Sequence, residues 1–187
     1  RPGAVAGGGT SPPVPWNASA LGNADLSQSP RGQFRQVLDL IGATVTINVN
    51  NQTRTYSSPF VNDPLAMATY LPVLMEKLTT VDSPSIPGRI HLNEAPRALL
   101  AGLPGMTDTL LDAIIEARSK TSESQNRKFE TWPLVEGYLT LEQMKLIQPL
   151  LTCSGDVYRA QVVGYFEQGS AFARVEAVID ASETPPK

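Results

Sequence analysis

Residues 90–118, IHLNEAPRALLAGLPGMTDTLLDAIIEAR, decide how the rest of the chain is read. Pro96 suits the first turn of a helix whose buried side is Leu99, Leu100 and Leu103, and Asn93 is placed to cap it. Pro104-Gly105 then forces the backbone out of helix, Thr107 caps a second helix, and Asp108 stands near that helix's positive end. Leu110, Leu111, Ile114 and Ile115 form the second helix's apolar stripe, which ends near Arg118. The segment therefore predicts two short helices packed against each other across a tight turn.

Toward the C-terminus, residues 119–128 (SKTSESQNRK) are all polar and predict a solvated loop. Residues 129–151 then repeat the pattern: Gly137 breaks a short helix, Thr140 and Gln143 form a capping box, and Leu141, Met144, Ile147 and Leu151 supply a core. Past Cys153-Ser154-Gly155 the period becomes two. Tyr158, Ala160, Val162 and Phe166 share one face of a strand, Gly169 marks a turn, and Ala171, Ala173, Val175, Ala177 and Ile179 alternate along a return strand.

Toward the N-terminus, Asp63-Pro64 opens a helix with Leu65, Ala68, Leu71, Leu74, Met75 and Leu78 on its apolar side, which Pro72 is expected to kink or divide. Before it, Ala43, Val45, Ile47 and Val49 alternate with polar residues as a strand, and Asn50-Asn51-Gln52 turns the chain. Thr53, Arg54, Thr55, Tyr56 and Ser57 return as an edge strand. Unpaired strand edges recruit partners, so these five residues are the candidate protein interface. Ser29-Pro30 starts a short helix carrying Phe34, Val37, Leu38 and Ile41, closed by Gly42 in a left-handed conformation. Residues 1–28 are rich in Gly, Pro, Ser and Asn and read as a linker or arm.

Residues 90–118, about a sixth of the chain, resemble the helix-hairpin-helix repeat of bacterial competence DNA receptors and of the type II secretion minor pseudopilin K family. The match rests on the extended piece ending in Asn93, the Ala95-Pro96 helix start, the Leu103-Pro104-Gly105-Met106 turn and Ala113-Ile114-Ile115 before Arg118. Residues 129–151 resemble a second repeat, and strands on both sides of the helices favour the pseudopilin over the receptor. The expected fold is α+β, an antiparallel sheet with an inserted helical block that contains tandem helix-hairpin-helix units. Its parts are a linker (1–28), a helix and β-hairpin of the sheet (29–61), the helical block (62–152), a C-terminal hairpin returning to the sheet (153–181) and a tail (182–187). The resemblance implies a non-enzymatic subunit of a secretion pseudopilus, in the periplasm, whose partners are other minor pseudopilins. It also implies a membrane-anchoring helix of ~20 apolar residues upstream of Arg1.

The alternative is a sequence-nonspecific DNA-binding module, with Leu103, Pro104, Gly105, Met106 and Thr107 offering backbone amides to phosphate at a helix N-terminus. Thr107 occupies the position where a phosphate-gripping turn carries its second glycine, and Asp108 beside it repels phosphate. Residues 89–151 hold seven Lys/Arg against eight Asp/Glu, and the whole chain has a formal charge of -3, so the basic footprint of a phosphate binder is missing. No Gly-rich phosphate loop, nucleophile elbow or Cys/His ligand set occurs, so neither cofactor nor catalysis is expected. Cys153 and His91 are each the sole residue of their kind; the first reads as an inert buried thiol, the second as a surface or packing residue. Asp108, Asp112 and Glu116 line one helical face, where such a row is a solvated face unless an ion occupies it.

Overall fold

Alternation in the N-terminal third and helical periodicity in the middle produce the expected α+β chain, described in a computed structural model over residues 14–15, 33–49, 52–83, 86, 88–120, 125–167, 169 and 172–181. Apart from Val14 and Pro15, the expected linker lies outside the described residues. So do the Ser29-Pro30 helix start, the Asn50-Asn51 turn, Pro84 and Pro87, most of the 119–128 loop's middle, and the tail.

The first sheet has three strands: β1 (Val14–Pro15), β2 (Thr44–Val49) and β3 (Gln52–Ser57). β2 and β3 pair antiparallel, Val45 opposite Tyr56 and Val49 opposite Gln52, as the alternation predicted. Val14 and Pro15 pair in parallel with Tyr56 and Ser57, which makes β3 the middle strand of the order β1-β3-β2. The edge expectation is thus corrected at Tyr56 and Ser57. The partner comes from 42 residues away in sequence, beyond anything a local polarity pattern registers. Ahead of β2, residues Val37–Leu40 form a 3-10 turn rather than a full helix. Val37, Leu38 and Ile41 are buried and Gly42 adopts φ 66°, but Phe34 is exposed.

Helix α1 spans Pro64–Lys77; the Asp63 carboxylate accepts from the Ala66 amide at 2.9 Å and Pro64 fills the first turn, where no amide partner is needed. The expected division at Pro72 does not occur. The carbonyl that loses its amide partner to Pro72 belongs to Ala68, on the exposed side of the helix, while Met67, Leu71 and Leu74 hold the helix to the core on either side. Leu65, Ala68 and Leu78 fall off that buried stripe and are exposed.

The central block starts with β4 (Ile90–His91), followed by α2 (Arg97–Leu100), α3 (Asp108–Ser119), a 3-10 turn Gln125–Lys128, α4 (Trp132–Val135) and α5 (Leu141–Ile147). It closes with β5 (Leu151–Thr152). β5 lies parallel to β4, and the Leu92 amide donates to the Thr152 carbonyl at 2.8 Å, so the block's two ends meet. One contiguous core runs through it, with Leu92, Leu100, Leu111, Ile114, Trp132, Met144 and Leu151 at its centre. Leu38, Ile41, Met67 and Leu71 belong to the same core. The boundary expected at residues 61 and 62 therefore does not separate two cores. Among the described residues no helix is long and apolar enough to cross a membrane.

β6 (Val157–Tyr165) and β7 (Phe172–Asp180) form the expected antiparallel hairpin, with Val157 opposite Asp180 and Tyr165 opposite Phe172. It does not return to the first sheet: among the described residues the two strands pair only with each other. The core includes no buried residue beyond Leu151 and only partly buried Cys153 after that.

Candidate functional site

Three surfaces bear on function: the turn between α2 and α3, the β2–β3 ladder, and the β6–β7 hairpin.

At the turn, Leu103 is buried and anchors the loop, and its carbonyl accepts from the Met106 amide at 3.2 Å. Gly105 takes φ 74°, a left-handed conformation costly for any residue with a Cβ. The Thr107 hydroxyl accepts from the Leu110 amide at 3.3 Å, the cap that the sequence predicts. Pro104, Gly105 and Thr107 face solvent, while Met106 is half-buried. Arg97, from α2, reaches across the turn to Asp108 at 2.9 Å and Asp112 at 3.0 Å. Its hydrogen bonds to Asp108 and Asp112 hold its pKa above the ordinary arginine value. Farther along, Glu116 pairs with Lys120 at 2.9 Å, which lowers the Glu116 pKa. The three acids of the row thus share two cations of their own chain, Arg97 between Asp108 and Asp112 and Lys120 on Glu116. Residues 103–109 contain neither Lys nor Arg, and Arg97, which reaches across the turn, is already held by Asp108 and Asp112.

The second turn has the same construction. Gly137 has φ 79°, the Thr140 hydroxyl accepts from the Gln143 amide at 3.2 Å, and the Gln143 side chain accepts from the Thr140 amide at 2.9 Å. Between the two turns lies a polar network that local sequence reading missed. Asn93 was expected as a helix cap, yet α2 is preceded by Pro96 with no side-chain cap. Asn93 instead accepts from the buried Trp132 indole at 2.9 Å and donates to the Arg127 carbonyl at 3.1 Å. Arg127 stacks 4.8 Å above the Trp132 ring, forks onto Glu136 with two 2.7 Å bonds, and donates to the Ala117 carbonyl at 2.7 Å. Arg118 donates to the Leu92 and Ala95 carbonyls. Because these partners are distant in sequence, their only local signal was the pairing of polar residues with an otherwise apolar run.

On the β2–β3 ladder, Thr46 and Thr55 share a 3.0 Å hydrogen bond and the Thr53 hydroxyl donates to Asn48 at 2.9 Å, so these polar side chains satisfy one another across the strands. Tyr56 is buried, and Ser57 donates to the Val14 carbonyl at 3.4 Å. Of the five interface candidates, Thr53 and Arg54 are exposed, Thr55 and Ser57 half-buried.

The hairpin was read from sequence as sheet, not as surface. Directly opposed residues share a face. One face holds Tyr158, Ala160, Val162 and Gly164 on β6 against Ile179, Ala177, Val175 and Ala173 on β7, without a charged or amide side chain. The other mixes Arg159, Gln161, Glu176 and Arg174 with Val157, Val163, Val178, Tyr165 and Phe172. A face so apolar is the signature of a surface packed on something. Here Val162 is 64% exposed, Val175 60% and Tyr158 57%.

Cys153 sits between block and hairpin, half-buried, its thiol pushed up to about 12 by burial and by the nearby Glu130 carboxylate. Burial thus favours its protonated form. Compared with family models, curated proteins and solved structures, the chain matches none.

Proposed function

We propose that this chain is a non-enzymatic assembly subunit of the minor pseudopilin K type, in which the two helix–turn–helix pairs are tandem helix-hairpin-helix units and the β6–β7 hairpin is a contact surface. The observation that carries the reading is the exposed apolar face of that hairpin. A two-stranded ribbon with no covering layer is marginal by itself in water, and this one presents eight residues without a charge or amide on one side. The resemblance of residues 90–118 to the pseudopilin family supplies the partner class, other minor pseudopilins of a type II secretion system, and the location, the periplasm.

The test is association in solution, followed by sedimentation, between this chain and the other minor pseudopilins of the same system. Saturable complex formation is expected, and Val162→Asp combined with Val175→Asp abolishes it while the helical block keeps its circular dichroism. Complexes unaffected by the double substitution, or none with the unsubstituted chain, would overturn the proposal. The left-handed Gly105 turn favours one other reading, phosphate contact by backbone amides. That reading requires duplex DNA binding that weakens steeply with salt and disappears in a Gly105 variant.

A further inference from the structure

A cavity of about 400 Å³ lies between the residues that lead into the first 3-10 turn, the C-terminal end of α1, and the chain just before β4 and α4. Its volume is within the range of small-ligand sites. Three cations line it, Arg35, Arg89 and Lys128, and among the described residues none of their side chains forms a salt bridge, although the Arg35 backbone amide donates to the Asp39 carboxylate at 3.0 Å. The acid in the wall, Glu130, is 7% exposed and already accepts from Gln148 at 2.9 Å. In one lining residue, Arg89, the buried Nε makes no hydrogen bond to a protein group among the described residues. Buried polar atoms are ordinarily paired, and an acceptor entering the cavity is one partner open to this N–H. Beside the cations lie Leu78, Val81, Ile86 and Phe129, an apolar surface that a bare inorganic anion would leave unused.

We infer that this cavity binds the free C-terminal end of a peptide, its carboxylate among Arg35, Arg89 and Lys128 and an apolar last side chain against Leu78, Val81 and Phe129. Guanidinium and ammonium groups together favour a carboxylate, and such charge-assisted hydrogen bonds are stronger than neutral ones. The site lies apart from the β6–β7 face and does not depend on the assembly reading.

The experiment is an amide NMR titration of the whole chain with three probes: acetyl-Ala-Ala-Ala-Leu as the free acid, the same peptide amidated, and acetate. Saturable shifts at Gln36, Arg89 and Phe129 are expected with the acid, with affinity about tenfold or more weaker for the amide. Acetate should give no saturation, since it lacks the apolar contact. Arg89→Gln should erase the difference between acid and amide; Lys128→Gln, at an exposed position, should reduce it and serves if the first variant does not fold. Equal binding of acid and amide, binding of acetate as tight as the peptide, or shifts located elsewhere would each overturn the inference.

Discussion

Asn93 illustrates how one side chain can hold two parts of a fold. Its carbonyl oxygen satisfies the indole of Trp132, which is completely buried, and its amide satisfies the Arg127 carbonyl. Asn93→Ala removes both bonds and leaves a buried N–H without a partner, which costs about 2–3 kcal/mol. The expected outcome is a lower urea midpoint at unchanged slope. Asn93→Asp keeps the acceptor for Trp132 and should lose less; an equal loss in the two variants would show that the indole bond contributes nothing. Residues like this explain what stayed hidden in the sequence. The propensity of Asn for helix starts is local and suggested a cap, whereas its actual partners lie 34 and 39 residues away. The Thr107 and Thr140 caps and the glycines at 105 and 137 were legible, because each acts on its own turn.

Among the elements, the two turns are built alike and lend themselves to comparison. A Cβ added at Gly105 or Gly137 meets nothing within 4 Å, so a substitution there reports backbone strain alone. Gly105→Ala and Gly137→Ala should each cost about 1–2 kcal/mol from the left-handed conformation. Thr140→Ala, which removes the capping box at α5, should cost about 1 kcal/mol. Chemical denaturation of the three variants checks these values; a Gly105→Ala chain as stable as the parent would mean that the turn relaxes to another conformation. The strands were harder to place than the turns. Alternation located β2, β3, β6 and β7 correctly, but a period of two says which residues share a face without saying what covers it. β3 thus proved to be a middle strand, since β1 pairs with it from far upstream, and the hairpin proved to pair with itself.

Across the molecule, the buried core of the described residues spans Leu38 to Leu151, and the hairpin lies outside it. A chain ending at Gly155 should therefore keep its thermal transition within a few degrees of the full chain, with a ΔΔG of about 1 kcal/mol or less. A collapse of the transition would reveal that the hairpin packs on the core. Alkali provides a second global readout. Burial raises Cys153 to about 12, and burial together with the Asp63 carboxylate raises Tyr70 to about 12. Both groups are neutral in the folded chain over a range where the unfolded chain ionises. Their contribution is complete below the ordinary thiol pKa of 9.0 and declines as pH rises toward about 12. Urea midpoints at pH 8 and pH 10.5 should therefore differ, the alkaline one lower, and Cys153→Ser should shrink the gap.

The parallel β4–β5 contact has a mechanical meaning. Because the two strands run the same way, the chain enters the helical block at one end of the bridge and leaves at the other. Tension along the chain loads its hydrogen bonds in shear, so that they must break together. The β6–β7 hairpin has both ends on the same side, and the same tension peels it open one rung at a time. Under load the hairpin yields first and lengthens as a slack tether, while the block behind its bridge remains closed.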